Sequence, residues 1–555
     1  MSLDAFAEVF EPADIHVAQR LTELGRDSDP TVALAVALAV RAVRSGSVCV
    51  DLRTVAAQVG VPELPWPDPD GWLSTVGASP LAEHKVVRLD GDLLYLDRYW
   101  REEEQVRDDV VALLSSPPRT AVPGLERLFP AGWEEQRAAA EAALTRSLTV
   151  LTGGPGTGKT TTVARLLAAF AEQAELAGGP PPRMALAAPT GKAAARLQDA
   201  VQAEVDRLSA VDRARLAGLR ATTMHRLLGS RPDTSSRFRH HRGNRLPHDV
   251  IVVDETSMVS LTMMARLLEA VRPDTRLLFV GDPDQLASVD AGAVLADLVD
   301  GLGEAGVVEL TTSHRFGERI GALALAIRSG DADATVEVLR AGGDAIGWLD
   351  TDDAADALRG PLVDRAADLR EAALLGDGET ALRILDGHRL LCAHRRGPFG
   401  VAHWNRQIER WLAERTGQSI WSQPYAGRPL LVTANDYGLG VYNGDTGVVV
   451  AAPEGLRAHI GTPASSRELA VGRLGEVETM FAMTIHKSQG SQADEVTVLM
   501  PPQDSRLLTR ELFYTAVTRA KERVQVVGTE ASVRAAVGRR AVRASGLARR
   551  LSTAR

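Results

Sequence analysis

The most constraining stretch of this chain is residues 147–160, where the apolar run SLTVLT breaks into Gly153-Gly154-Pro155-Gly156-Thr157-Gly158-Lys159-Thr160. A strand that passes through glycines into a helix implies a βα unit, and βα units assemble into parallel sheets. The spacing matches GxxxxGK[ST] in the strand–loop–helix setting that this motif requires. In such a loop the glycines turn backbone amides inward around phosphates, and the following helix N-terminus favours an anion. Lys159 would reach the β- and γ-phosphates of ATP, Thr160 would ligate Mg²⁺, and Thr161, in the first helical turn, would complete the nucleotide-binding set.

Further apolar runs, MALAAPT, VIVVDE, TRLLFVGD and VVELT, alternate with helical stretches and extend the same α/β pattern, with ligands expected at the carboxyl ends of the strands. A second α/β unit follows, with strands expected at RLLCAH, EVTVLM and RVQVVG. Within it, PLLVTANDYGLGVYNGDTGVVVAA has β character, and its Asn443-Gly444-Asp445 turn suggests a small barrel inserted into that unit. The start of the chain is mainly helical. It ends in two alternating runs around Asp90-Gly91, a hairpin signal, and in the acidic helix EEEQVRDDVVALL. SSPPRTAVPG reads as a linker. The expected partition is therefore residues 1–118, 125–345 and 346–555, with the β insertion at about 425–478.

Composition excludes more than it identifies. No apolar run approaches the ~18–20 residues of a membrane helix, and the start lacks the pattern of a signal peptide, so the expectation is a cytoplasmic protein with no membrane contact. Cys49 and Cys392 are far apart, which supports neither a disulfide framework nor a zinc site. The net charge of −9 argues against coating nucleic acid by bulk charge, although a groove can be locally basic. Lysine occurs 5 times against 58 arginines, and four of the five, Lys159, Lys192, Lys487 and Lys521, fall in or beside motifs. A compact ammonium is thus retained where a chain rich in arginine needs one.

An acidic pair closing a buried strand should accompany the phosphate loop, and VIVVDETSM supplies it. Asp254 would hold Mg²⁺, and Glu255 would position or deprotonate the attacking water. Gln136, on a helix leading into the first strand, is placed to read an adenine edge. Arg315 in LTTSHRF and Arg519 in FYTAVTRAK are candidate arginine fingers, groups worth roughly 10³–10⁵ in rate where they act.

The segments GGPGTGKT, APTGKAAARL, TTMHRLLG, VVDETSM, GDPDQLASV, LTTSHRF, AMTIHKSQGSQADEV and FYTAVTRAK occur in the order of the superfamily 1 helicase motifs. Together they resemble the RecD family, the alpha subunit of the RecBCD enzyme (exonuclease V), over about residues 130–530. The resemblance implies two RecA-like P-loop domains, an SH3-like insertion in the second, and an N-terminal domain that docks onto partners. It implies a 5′–3′ DNA helicase driven by ATP and Mg²⁺, acting on single-stranded and end-containing DNA beside RecB-like and RecC-like subunits in recombinational repair. It also implies that Gln285 senses the γ-phosphate and that Thr190, Lys192, Thr223, His225, Thr484, His486 and Lys487 face the strand or couple it to ATP. Such hydroxyls, ammonium groups and imidazoles hold phosphates without reading sequence.

Other readings compete. A stand-alone RecD-like helicase would carry a longer N-terminal region, and an ATP-gated scaffold would need no strand-coupling motifs. A loose nuclease pattern, Asp68 or Asp70 with Glu83-His84-Lys85, is a weak signal, and nuclease activity is expected in a partner subunit. The Arg-rich tail from Arg534 reads as a solvated helix or, less favourably, a DNA contact. The basic loop Phe238 to Arg245 reads equally as DNA contact or solvated loop.

Overall fold

The computed structural model describes residues 3–120, 124–231, 234–312, 318–418, 424–436, 438–463 and 465–554. Two parallel sheets form its frame. The first contains β4 (Leu148–Gly153), β5 (Met184–Ala188), β6 (Ala221–Thr223), β9 (Val250–Val253), β10 (Arg276–Gly281) and β11 (Val307–Leu310), in the order β11-β4-β10-β9-β5-β6. Strands β4 and β9 are buried along their whole length, as expected of central parallel strands covered by helices on both faces. From β4 the chain crosses to β5 on one side and returns to β11 on the other, so a crevice opens at the carboxyl end of β4, where such sheets take their ligands.

The second sheet contains β12 (Ile346–Leu349), β13 (His388–Cys392), β19 (Ala482–Thr484), β20 (Ala493–Leu499) and β21 (Ala520–Val527), all parallel, in the order β12-β21-β20-β13-β19. Between β13 and β19 lie β14 (Pro429–Val432), β15 (Thr446–Ala452), β16 (Gly455–Thr462), β17 (Ser465–Ala470) and β18 (Val477–Thr479). They pair antiparallel in the order β17-β16-β15-β14-β18. Among the described residues β17 and β18 do not pair with each other, so the ladder is an open sheet rather than a ring closed by hydrogen bonds.

The first hundred residues form helices around a small antiparallel sheet of β1 (Cys49–Asp51), β2 (Val87–Asp90) and β3 (Leu93–Leu96). The tight turn expected at Asp90-Gly91 joins β2 to β3, with Gly91 at φ 60. The helix Asp97–Leu114 then lies against helix Leu261–Ala270 of the first parallel-sheet unit, where Gln105 Nε2 donates to the Ala265 carbonyl at 2.8 Å. Val48, Tyr95 and Val106 share one apolar core with Val150, Ile251 and Met264, so the N-terminal module is welded to its neighbour.

Residues 544–551 close that weld. Leu547 and Leu551 are buried in the same core, against helix Val294–Leu302. Arg550 pairs with Asp90 at 2.6 Å and Glu103 at 3.2 Å, and lies over the rings of Tyr95 and Trp100. This part of the Arg-rich tail is thus neither a solvated helix nor a DNA arm, because its apolar face and its charges both have partners within the fold. A Tyr-Trp-lined acidic nest on a distant segment is not visible in local sequence.

β7 (Ser230–Arg231) and β8 (Thr234–Phe238) form a short ribbon. The basic loop after it is tied down, with Arg242 bonded to both carboxylate oxygens of Asp109. Asp68, Asp70 and His84 of the nuclease pattern each have local partners. Asp68 caps helix Pro69–Gly77, Asp70 pairs with Arg53 at 2.8 Å, and His84 Nδ1 lies 2.8 Å from the Pro80 carbonyl.

Candidate functional site

The glycine loop is built as its sequence dictates. Gly158, at φ 85, precedes helix Lys159–Leu176 in the left-handed conformation. At Gly153 a Cβ would stand 2.6 Å from the Leu310 carbonyl oxygen and 2.7 Å from Thr157 Oγ1, so no side chain fits where β4 meets the loop. Thr157 Oγ1 donates to the Gly154 carbonyl at 2.9 Å. Lys159 Nζ donates to the carbonyls of Gly153 and Gly154 at 2.5 and 2.8 Å, folding the ammonium back over the loop.

Opposite the loop, β9 ends in Asp254 and Glu255. Asp254 accepts a hydrogen bond from the Glu255 amide at 2.9 Å. Burial, with the adjacent Glu255 charge, pushes the Asp254 carboxyl well above the usual carboxylate range. Burial lowers the Lys159 ammonium, against the pull of Asp282, Glu255 and Asp254. Glu255 adopts φ 51, ψ 41, a left-handed conformation that non-glycine residues enter at a cost of about 1–2 kcal/mol. Strain of this kind persists where surrounding structure fixes the side chain's direction.

The second parallel-sheet unit completes the site. Arg519 follows helix Arg510–Val517 and is buried, and its Nη2 donates to Gln285 Oε1 at 2.9 Å. Gln285 Nε2 in turn donates to Asp282 Oδ2 at 3.0 Å, and Tyr514 donates its hydroxyl proton to the same oxygen at 3.0 Å. Pro155, Gly156, Lys159, Thr160, Asp254 and Glu255 line a cavity of about 590 Å³ together with Arg519. Thr161, Asp282, Gln285 and Arg196 contribute to the same wall.

Gln136 is buried behind the loop, its amide donating to the Thr157 carbonyl at 3.4 Å, rather than standing in the cavity wall. Arg315 lies outside the described residues. Sequence reasoning missed three groups, Asp282, Tyr514 and Arg196. Each sits inside a segment already singled out, yet nothing in the linear pattern separates it from its neighbours.

Asp254, Glu255 and Asp282 put carboxylates beside Thr160, a donor set of hard oxygens that suits Mg²⁺. Among the described residues no cluster of three His, Cys, Asp or Glu side chains is set to hold a metal.

A second cavity encloses about 420 Å³. Thr190, Lys192, His225, His486 and Lys487 line it, bringing together five of the seven residues expected at the strand. Thr223 caps helix Met224–Leu228 and Thr484 accepts the Lys487 amide at 3.2 Å, so these two hold the backbone beneath the cavity. Burial lowers the His225 and His486 imidazoles, favouring their neutral form. Burial, followed by the Arg389 charge, brings the Lys192 ammonium down to about 8. Val289, 76% exposed, and Met263 add apolar surface, and Asn443 and Gly444 reach in from the turn before β15.

Three family descriptions match the chain in order. They are the RecBCD enzyme subunit RecD N-terminal domain over residues 7–95, an AAA domain over 133–349, and a UvrD-like helicase C-terminal domain over 479–527. The chain is 71% identical over 553 residues to the RecBCD enzyme subunit RecD of Mycolicibacterium smegmatis, covering 100% of this chain and 99% of that protein. It is 66% identical to the protein of the same name from Mycobacterium tuberculosis H37Rv, over 99% of this chain and 96% of that one. Against the ATP-dependent RecD2 DNA helicase of Deinococcus radiodurans the identity is 31%, over 83% of this chain and 59% of that protein. With a 71% identical match over the full chain and the three family domains in order, the chain belongs to the RecD family of superfamily 1 helicases.

Proposed function

We propose that this chain is the ATP-driven 5′–3′ motor subunit of a RecBCD-type helicase-nuclease, acting on DNA ends in recombinational repair with RecB-like and RecC-like partners. The observation that carries the reading is the joint cavity, in which Lys159, Asp254 and Glu255 of one parallel-sheet unit face Arg519 of the other. A site split between two bodies binds its ligand most tightly when they close, so ATP binding and hydrolysis drive alternate closing and opening. The strand groove is lined by both bodies too, so the same movement changes the grip on single-stranded DNA.

The roles follow from the chemistry. The glycine loop and Lys159 cradle the phosphates, Thr160 and Asp254 hold Mg²⁺, and Glu255 orients and deprotonates the attacking water. Mg²⁺, when bound, neutralises charge on the β- and γ-phosphate oxygens. Gln285 and Arg519 respond to the γ-phosphate as a bonded pair, and Arg315 is a second finger in this reading. Gln136 supports the loop from behind. The antiparallel insertion serves as the SH3-like wall of the strand groove. The N-terminal module, with no helicase motif of its own, is the docking element for the partner subunits.

A stand-alone helicase is the second reading, and one observation weighs against it. The chain is 71% identical to the M. smegmatis subunit but 31% identical to the D. radiodurans helicase. The test is ATPase activity with and without single-stranded DNA, on the chain alone and on complexes recovered at low salt. Strand-stimulated hydrolysis that disappears in Lys159→Ala, together with recovery of two large partner polypeptides, is the expected result. An unstimulated ATPase in every preparation would sink the motor reading, and full unwinding activity by the chain alone would favour the stand-alone one.

A further inference from the structure

The two cavities share one helix. Helix Gly191–Val205 begins at its cap Thr190, whose hydroxyl accepts the Ala193 amide at 3.2 Å, and Thr190 and Lys192 both line the strand groove. One turn later Arg196 lines the nucleotide cavity. Positions four apart on a helix lie one above the other, so Lys192 and Arg196 form a short line from strand to nucleotide. Leu197 and Val201 anchor the helix in the core of the first unit. At its start it touches the second unit, where a Cβ on Gly191 would meet Tyr442 at 3.1 Å and one on Gly490 would meet Ala193 at 3.3 Å.

Arg196 Nη1 lies 3.8 Å from Glu255 Oε1. The other cations near this carboxylate are bonded elsewhere, Lys159 to the Gly153 and Gly154 carbonyls and Arg519 to Gln285 and the Thr515 carbonyl. The Arg196 charge also acts on Lys159, Asp254 and Arg519 on the nucleotide side and on Lys192 on the strand side.

We infer that Arg196 is the positioning residue for Glu255, and that through helix Gly191–Val205 it ties the direction of that carboxylate to occupancy of the strand groove. The inference rests on the reading of the first cavity as the ATP site. A strand phosphate at Lys192 and the Thr190 cap bears on the helix start, and a small tilt of the helix alters the Arg196–Glu255 separation. Glu255 cannot follow freely, because its backbone is held in the left-handed conformation. The pair therefore reports strand binding to the group that handles the attacking water. No covalent step is added to hydrolysis.

The experiment compares full-length wild type, Arg196→Ala, Arg196→Lys and Lys159→Ala, with and without oligo-dT. It reads kcat, KM for ATP, and affinity for a fluorescent ADP analogue. For Arg196→Ala we expect strand-stimulated kcat to fall about 10- to 100-fold, a typical share for a displaced general base, with KM and analogue affinity within about threefold. Arg196→Lys should recover much of the kcat, since the charge is kept. An unchanged kcat and stimulation ratio would overturn the inference. So would a parallel loss of kcat and analogue affinity in both variants, because Arg196 would then be a phosphate ligand. If Lys159→Ala hydrolyses ATP normally, the ATP-site reading itself has failed; if only the Arg196 variants are neutral, this inference alone has.

Discussion

Arg519 and Gln285, 234 residues apart in sequence, meet at 2.9 Å across the seam between the two parallel-sheet units. Gln489 strengthens the seam by donating to the Leu286 carbonyl at 2.7 Å, and Thr515 Oγ1 accepts the Leu286 amide at 2.8 Å. The pair should behave as one device. Arg519→Ala is expected to lower the ATPase kcat by about 10³ and Gln285→Ala by less, with the double variant no worse than Arg519→Ala. Steady-state kinetics in a double-mutant cycle checks this, and simple additivity would separate the two roles.

Strand binding should depend on pH through Lys192. Its ammonium titrates near 8 in the free groove, and contact with a strand phosphate favours the charged form. Below that value the free protein is already charged. Above it binding must take up a proton, so affinity for oligo-dT should fall as pH rises from 8 to 10. Lys192→Arg should flatten the dependence, as measured by fluorescence anisotropy at fixed salt. Raising the salt at fixed pH should weaken binding in both proteins, reflecting phosphate contacts.

Removing Arg550 should leave Glu103 buried without its cation. Burial already raises the Glu103 carboxyl, with bonds from Ser545, Gly546 and Tyr95 opposing the rise. Arg550→Ala should therefore destabilise the protein by about 3 kcal/mol, as for other broken buried pairs. Thermal melting and hydrogen exchange over residues 87–114 would measure it, and a loss confined to a few tenths would show that the pair is dispensable.

Asp297, on helix Val294–Leu302, is raised to about 7, chiefly by burial and then by Glu103 and Asp300, against a bond to Ser545. Its value in the fold lies above that of the unfolded chain, so the folded form holds the proton longer and stability falls as pH rises toward 7. Asp297→Asn removes this loss. The variant's advantage should be small near pH 4.5 and about 1–2 kcal/mol at pH 8, allowing for partial exposure to water. Melting across that range would detect it; an advantage independent of pH would contradict the assignment.

What was legible in the sequence is what local order encodes. The glycine loop, the acidic pair after β9 and strands β4, β5, β9, β10, β11, β13, β20 and β21 lie where their runs and turn residues put them, because each depends on neighbours a few positions away; β6, β12 and β19 are short and leave no such run. Arg196, Asp282 and Tyr514 could not be singled out in this way. Tyr514 matters because its hydroxyl meets Asp282, 232 residues earlier, and Arg196 because helix packing turns it toward Glu255. The placement of Arg549 and Arg550 is hidden from the sequence for the same reason. Their partners sit on β2 and helix Asp97–Leu114, and a charge count records how many cations there are, not what they face.

The clasp at Arg550 also sets an order of events during synthesis. Its partner Glu103 lies 447 residues upstream, an interval of roughly 20–90 s at about 5–20 residues per second. Throughout that time Glu103 and the apolar surface beneath Leu547 and Leu551 are on the ribosome's side of an unfinished job, open to chaperones and proteases. A message cut short before codon 544 would still encode every helicase motif, yet its product would emerge with that wound unsealed and be a target for clearance before it could reach DNA.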